Sequence, residues 1–259
     1  MAKFLLSLTA LSLVSVGCGG ANGDGPTDGL PTPSDDLDDT SSQDTQEPED
    51  SDDPEDTGEA PQDATENYNF TDQQSLLYVQ VYKDEDALLS SLAHNHVIRA
   101  TNWSGSVVYN VDKPKKCEIA FSLPVNGLTP DESDMRDYVG YGDTISSSDR
   151  ETIKGHMLEK DQLNSSKYTQ ISFTSTQCSA TKGETKGELT VEGSMRIVGV
   201  SANVSIPMQF EVKNGRFYAS GSFEMKHADF GVSPYSTWGG SLRNEELLVF
   251  GFDMVGDSE

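Results

Sequence analysis

His94, Asn95 and His96 stand side by side in the stretch LAHNHVIRA, residues 92–100, of a 259-residue chain with four histidines in all. Imidazoles this close could serve three kinds of chemistry: phosphodiester hydrolysis beside a metal ion, coordination of a transition metal, or binding of a polar group that switches with protonation. The first needs a chain that grips phosphates, and that grip comes from Lys and Arg displacing counterions. Here the formal net charge is -25, so nucleic acid is repelled. Nucleases built on His, Asn and His also spread the three residues over a hairpin and a helix, not over a tripeptide. No nucleic acid is expected as partner.

The other two histidines fall in patterned stretches. On a strand, His94 and His96 project to the same side as Ile98 and Ala100. His227 ends an alternating run through Phe223 and Met225, and His156 lies in a helical stretch. Three readings stay open. The imidazoles could hold a phosphate or carboxylate head group, or His94, His96 and His227 could bind a divalent metal such as Zn or Cu. They could also be structural groups at the rim of a fold. No cofactor is expected.

A second cluster, Asp131, Glu132, Asp134, Asp137 and Asp143 with Tyr138 and Tyr141, could do acid–base work. The chain lacks a nucleophile elbow, an HExxH pair and a phosphate-cradling glycine loop. The cluster reads as a solvated surface loop, so no catalytic residue is assigned and no enzymatic activity is expected.

These groups must be positioned by strands, because period-2 alternation dominates from residue 75 onward. In CEIAFSLPV, residues 117–125, the odd positions Cys117, Ile119, Phe121, Leu123 and Val125 share a face. Ile171 and Phe173 do the same in TQISFTST. Further runs pair Leu189, Val191, Gly193, Met195 and Ile197; Val204, Ile206, Met208, Phe210 and Val212; and Phe217, Ala219, Gly221, Phe223, Met225 and His227. SLLYVQVY and VIRATNWSGSVVYNV supply earlier strands, and EELLVFGFDMV a last one that is apolar throughout. Half-buried strands joined by short turns make an all-β chain, an antiparallel barrel or sandwich. SSDRETIKGHMLEKDQL, residues 147–163, breaks the pattern: Ser and Asp caps precede Ile153, Met157 and Leu158 at helical spacing. A second, shorter helix is expected over Asp84 to Leu92.

The amino terminus gives an address. A short basic start, an apolar run from Phe4 to Val16 and then Ser15-Val16-Gly17-Cys18 resemble a lipoprotein signal sequence, residues 1–17, with lipidation of Cys18. Each buried methylene of the attached acyl chains is worth about 0.8 kcal/mol, so the anchor would be stable. The expected place is a bacterial cell envelope, with Gly19 favouring the outer membrane. Residues 18–66 are a different material. From 21 to 66 there are 17 acidic residues, no Lys or Arg, and six prolines. Such a stretch cannot bury enough apolar surface to offset ordering entropy, and reads as a disordered acidic tether of roughly 160 Å when stretched. The remainder, residues 67–259, has net charge -9 and suits one domain.

The order of motifs resembles the YceI-like family over about residues 75–255. His96 with Gly105 matches the family's opening His…Gly strand. HMLEKDQLNSSKYTQISFTS resembles its His-Leu helix leading into Pro-x-Ile-x-Phe-x-Ser, with Thr169 in place of Pro. GELTVEGSMRIVGVSANVSIPMQF resembles its Gly-x-Leu-Thr-Ile-x-Gly hairpin, with Gly193 and Gly199 as turn or bulge glycines. HADFGV resembles its Arg-Ser-Asp-Phe-Gly strand, with His227 in place of Arg. The resemblance implies a lipocalin-like antiparallel barrel of about eight strands that binds a polyisoprenoid or other long-chain lipid.

A barrel of that size can enclose one slim ligand. The lining would then be His94, His96, Phe121, Leu123, Met157, Leu158, Phe173, Met195, Ile197, Met208, Phe210, Phe223, Met225, His227 and Trp238, with Met and Phe giving an adaptable wall. Alternation alone cannot separate a lined pocket from a filled core, so a structural barrel without ligand remains the alternative. The resemblance also places the strand opened by Cys117 beside the one closed by Cys178, which makes the pair a disulfide candidate in an oxidising compartment. Their parity conflicts: Cys178 is out of phase with Ile171 and Phe173. Bonding therefore requires a bulge near Thr176 or pairing beyond the end of the ladder. Oligomeric state is not legible.

Overall fold

The computed structural model describes residues 65–259; the expected signal sequence, Cys18 and nearly all of the acidic stretch lie outside the described residues. Strand β1 (Thr65–Thr71) opens the chain, followed by β2 (Leu76–Lys83), β3 (His96–Ala100), β4 (Ser104–Asn110), β5 (Glu118–Pro124) and β6 (Leu128–Pro130). Helices α1 (Ser133–Tyr138) and α2 (Ser147–Leu158) interrupt the strands. β7 (Gln170–Ser179), β8 (Lys186–Ile197), β9 (Val200–Lys213), β10 (Arg216–Lys226), β11 (Ser236–Thr237) and β12 (Leu242–Ser258) complete the fold.

Every pairing is antiparallel, in the order β1-β4-β5-β7-β8-β9-β10-β12, and β12 returns to β1 through Phe70 opposite Gly256. That closes an eight-stranded barrel. β2 and β3 carry the β1–β4 ladder onward past a break: β12 pairs with β2, β2 with β3 and β3 with β6. The break between β3 and β4 falls at Asn102, whose φ of 57° is tolerated by Asn. Closure leaves no long unpaired edge and encloses a complete core, so residues 65–259 form a self-contained unit.

Alternation predicts most of this. β8 buries Leu189, Val191, Gly193, Met195 and Ile197, and β9 buries Val204, Ile206, Met208 and Phe210. The β8–β9 turn is Val198-Gly199, with φ values of 45° and 78°, the backbone sign that matches the twist of a tight hairpin. Gly193 is not a turn residue. It sits mid-strand, where a Cβ would lie 2.4 Å from the Phe173 ring, so the ring occupies the space a side chain would need.

Opposite Gly193 the ladder shifts between Ser175 and Gln177, which leaves Thr176 as the extra residue. This bulge reverses parity along β7: Phe173 faces inward before it and Cys178, fully buried, faces inward after it. Cys178 is bonded to Cys117, with their Cα atoms 5.8 Å apart.

Four elements differ from the sequence expectations. β1 begins at Thr65, inside the stretch assigned to the tether, because Tyr68 and Phe70 alternate into the core. The segment from Asp84 to Leu92 forms only a 3-10 turn at Ser90–Leu92. α2 ends at Leu158 rather than 163. The acidic loop holds α1 and a buried charge network, described below.

One end of the barrel is filled. Tyr68, Phe70, Tyr109, Phe210 and Phe217 pack with ring centroids 5.3–6.3 Å apart, a spacing at which aromatic pairs attract beyond simple burial.

Candidate functional site

The other end is hollow. A cavity of about 410 Å³ occupies it, walled by β2, β3, β5, β7, β8 and β12 and roofed by α2 and the loops around Leu92, Val232 and Trp238. Below it lies a small void of about 40 Å³, and Leu77 and Phe121 border both.

Of the residues expected to line a pocket, His94, His96, Phe121, Leu123, Met157, Met195, Ile197, His227 and Trp238 line this cavity. Phe173, Met208 and Phe223 border the small void instead. Phe210 packs in the aromatic end, and Met225 is buried without reaching either space. Leu158 packs half-buried against the core from the end of α2. The difference has one cause: alternation gives the inward face of a strand but not the depth along the barrel at which filling stops. Sequence reasoning missed Leu77, Val79 and Val81, which line the cavity from β2. Their period-2 spacing in SLLYVQVY was a usable signal.

All four histidines line the cavity, His156 included. His94 Nδ1 lies 2.6 Å from Asp143 Oδ2, His96 Nδ1 2.7 Å from Asp131 Oδ2, and His156 Nδ1 2.9 Å from Glu159 Oε1. His227 Nδ1 lies 3.1 Å from the Glu246 carbonyl oxygen. A carbonyl can only accept, so that ring donates from Nδ1. Ionised carboxylates select the same tautomer in the other three. The nitrogen left for a ligand is Nε2 in each case, an acceptor when the ring is neutral and a donor when it is protonated. Burial pushes the His227 pKa down, against the opposing pull of the Glu246 carbonyl and carboxylate.

Behind His94 and His96 stands Arg136, almost wholly buried on α1. Its Nη1 donates to Asp131 Oδ1 at 2.6 Å and to the Asn95 carbonyl at 2.8 Å. Its Nε donates to the Asp143 carbonyl at 2.9 Å, and Nη2 donates to the Asp143 carboxylate. Asp131 is buried too and also accepts from Val97 N–H at 3.1 Å. One guanidinium thus fixes both carboxylates that orient the two histidines. This corrects the reading of residues 131–143 as a solvated surface loop: Asp131 is buried and Glu132 pairs with Arg99 at 2.6 Å, while Asp134, Asp137 and the half-exposed Asp143 keep a solvent side. Sequence periodicity gives no signal for such a network, because its members come from a loop and a six-residue helix.

Burial alone would raise the Asp131 pKa, but the hydrogen bonds from His96, Val97 and Arg136 outweigh it and hold the carboxyl below its ordinary value. Asp143 behaves alike, with desolvation opposed by His94 and Arg136. Among the described residues no group of three or more His, Cys, Asp or Glu side chains could hold a metal ion. His94, His96 and His227 therefore do not form the ligand set that remained open from the sequence.

The arrangement is a hollow half-barrel with an apolar floor and an imidazole-bearing upper wall. A model of the YceI-like domain matches residues 84–257. The chain belongs to the YceI-like family. Among solved structures, BcnA from Burkholderia cenocepacia aligns with a TM-score of 0.52 at 15% identity, covering 70% of this chain and 95% of that one. A polyisoprenoid-binding domain from Saccharophagus degradans, described as implicated in plant cell wall breakdown, aligns with a TM-score of 0.48 at 11% identity, covering 74% and 98%. The YceI protein of Campylobacter jejuni gives 0.43 at 13% identity, covering 62% and 84%. The BcnA match supports the fold of a YceI-like barrel. None of the curated proteins compared matches the sequence.

Proposed function

We propose that this YceI-like barrel carries one long apolar chain, isoprenoid or acyl, with its tail on the floor of the cavity and its polar end among the histidines. The observation that carries the reading is the cavity itself. At about 410 Å³ it falls within the range of roughly 300–1,000 Å³ typical of ligand sites. Its walls are apolar where Leu77, Phe121 and Met195 meet the floor, and its polar lining is the four imidazoles together with Gln162, Thr237, Asn244, Tyr78 and Tyr235. Water gains few partners in such a space, whereas an alkyl chain removes apolar surface from solvent at both faces. A filled core without ligand is the reading this hollow disfavours.

The histidines select the head group. Four neutral rings held through Nδ1 offer Nε2 as acceptors, which suits a hydroxyl terminus. A phosphate or carboxylate terminus needs the rings protonated. The role is that of a binding protein rather than an enzyme, working outside the cytoplasm. Cys18, in its lipoprotein-like context, supplies the membrane anchor, with the acidic segment as spacer and the outer membrane as the favoured site.

Native mass spectrometry of gently purified protein tests the reading. A co-purified lipid of a single class is expected. If the protein instead stays empty after incubation with both isoprenoid alcohols and fatty acids, the reading fails. Affinity that falls as pH rises through about 6.5, where an unperturbed histidine loses its proton, assigns an anionic head group; affinity that does not fall assigns a hydroxyl.

A further inference from the structure

We propose that the open rim of the barrel docks on a lipid bilayer, with Leu88, Leu92 and Trp238 entering the headgroup layer so that a chain passes between membrane and cavity without crossing water. This rests on the reading of the cavity as a lipid site. Leu88, Trp238 and Leu92 are the three most exposed large apolar side chains among the described residues, at 85%, 64% and 60%. All three lie on two loops at the hollow end. The loops are joined: Leu89 N–H donates to the Ser241 carbonyl at 2.8 Å, and Ser241 N–H donates to that of Trp238 at 3.3 Å. Leu92 and Trp238 also line the cavity, so the exposed apolar rim is continuous with the apolar interior. Trp238 is held at φ 49°, a backbone state that non-glycine residues seldom adopt. An indole held in water in this way is costly unless something covers it, and indoles favour the boundary between water and lipid.

Charge selects the kind of bilayer. Arg243 pairs with Asp84 at 2.6 Å and Lys83 with Glu85 at 3.3 Å, so the cations of these loops are neutralised within the rim. Asp86, Asp229, Glu245 and Glu246 are left in excess over Lys226. The surface therefore fits a zwitterionic layer and is repelled by an anionic one.

The attachment point does not prevent docking. Thr65 lies opposite Asn110, at the filled end of the barrel. The 47 residues from Cys18 to Thr65 could reach roughly 160 Å when extended. The longest strand, β12, has 17 residues and spans only about 57 Å. A chain anchored at Cys18 can thus turn its mouth to the same membrane.

The two tryptophans provide the test, because Trp103 is 3% exposed and Trp238 is not. Residues 65–259 are mixed with phosphatidylcholine vesicles carrying brominated acyl chains. Quenching of tryptophan emission and protection of that emission from acrylamide are expected, and both should weaken when phosphatidylglycerol is added. Leu88→Asp alters the rim without touching the cavity lining. It should weaken vesicle binding about tenfold, the order expected for losing one buried leucine, while the lipid content seen by native mass spectrometry stays unchanged. Wild-type protein that carries lipid but shows no quenching overturns the docking and leaves the cavity reading intact. Quenching by an empty, unloadable protein supports docking and strikes the cavity reading alone. Protection from acrylamide without vesicles, rising with protein concentration, assigns the rim to a second copy of the chain and overturns the proposal.

Discussion

The guanidinium of Arg136 stands 2.6 Å from Oδ1 of Asp131, with both side chains shut away from water. Removing one partner of a buried pair leaves the other uncompensated, at a cost of about 3–5 kcal/mol. Arg136→Met should lose stability of that order in a urea titration. The double variant Arg136→Met with Asp131→Asn should lose clearly less than the two single losses added, because it removes both charges of the pair together. Strict additivity would mean that the pair does not act as a unit.

Acid should lower the stability of the barrel in two stages. Burial lowers the His227 pKa, so its neutral form is favoured in the folded state. That contribution is present above the unfolded value of about 6.5 and is lost as pH falls towards the lower folded value. Asp131 and Asp143 are also held below the ordinary carboxylate value. Their contribution is present above about 3.9 and drains as pH falls through the lower folded values. Denaturation free energies measured from pH 8 to 3 should show both declines. His227→Gln should flatten the first and Asp131→Asn the second; a first decline that survives His227→Gln contradicts the assignment.

Residue patterning made the strands, the helix at Ser147 and the family legible, because inward faces repeat every second residue and caps have fixed chemistry. It also showed that a bond between Cys117 and Cys178 required a break in parity, and the bulge at Thr176 provides one. Depth was not legible. Phe121 and Phe210 follow the same alternation, yet one borders the cavity and the other packs against Phe217 in the filled end. Nor was the Arg136 network, because a buried guanidinium in a loop carries no periodic signal and only the tertiary fold brings Asn95, Asp131 and Asp143 around it.

The boundary between hollow and filled can be tested with matched substitutions. Ala100 lines the large cavity, and Ala219 borders only the void of about 40 Å³. Ala219→Leu overpacks a tight region and should cost about 1–3 kcal/mol. Ala100→Leu should fold with little loss and reduce lipid occupancy, since the added atoms enter free space. Equal losses in thermal or urea unfolding would indicate that the upper half is packed as tightly as the lower.

The bond between Cys117 and Cys178 closes a loop with a sequence separation of 61. Chain entropy alone predicts about 4 kcal/mol for a loop of that length, and measured values run at about 2–4 kcal/mol. The double Cys→Ala variant should lose stability in that range, with lipid binding retained because neither cysteine lines the cavity. A thiol count on unfolded, unreduced protein should find neither of these cysteines free.

The roof should be the first part to open. α2 has no fully buried residue, although Ile153, His156 and Met157 lie over the cavity. It is held by Arg150 Nε donating to the Pro130 carbonyl at 3.1 Å and by Lys154 Nζ donating to that of Asn126 at 2.9 Å. Few apolar contacts and solvent-exposed hydrogen bonds define a segment that unfolds locally at low cost. Its amides should therefore exchange well before those of β8 and β9, whose ladders are continuous over Lys186–Ile197. The start of the helix offers a gentle probe. Ser146 caps it by accepting from Asp149 N–H at 3.2 Å, and loss of such a cap costs about 1 kcal/mol. The cap exists only while α2 is closed, so Ser146→Ala should lower global stability by no more than about 1 kcal/mol. Exchange within the helix should rise about fivefold, the factor that corresponds to about 1 kcal/mol. If α2 is the exit for the bound chain, lipid release to acceptor vesicles should accelerate by the same factor. Faster exchange with an unchanged release rate would place the exit elsewhere on the rim, between the Leu92 and Trp238 loops.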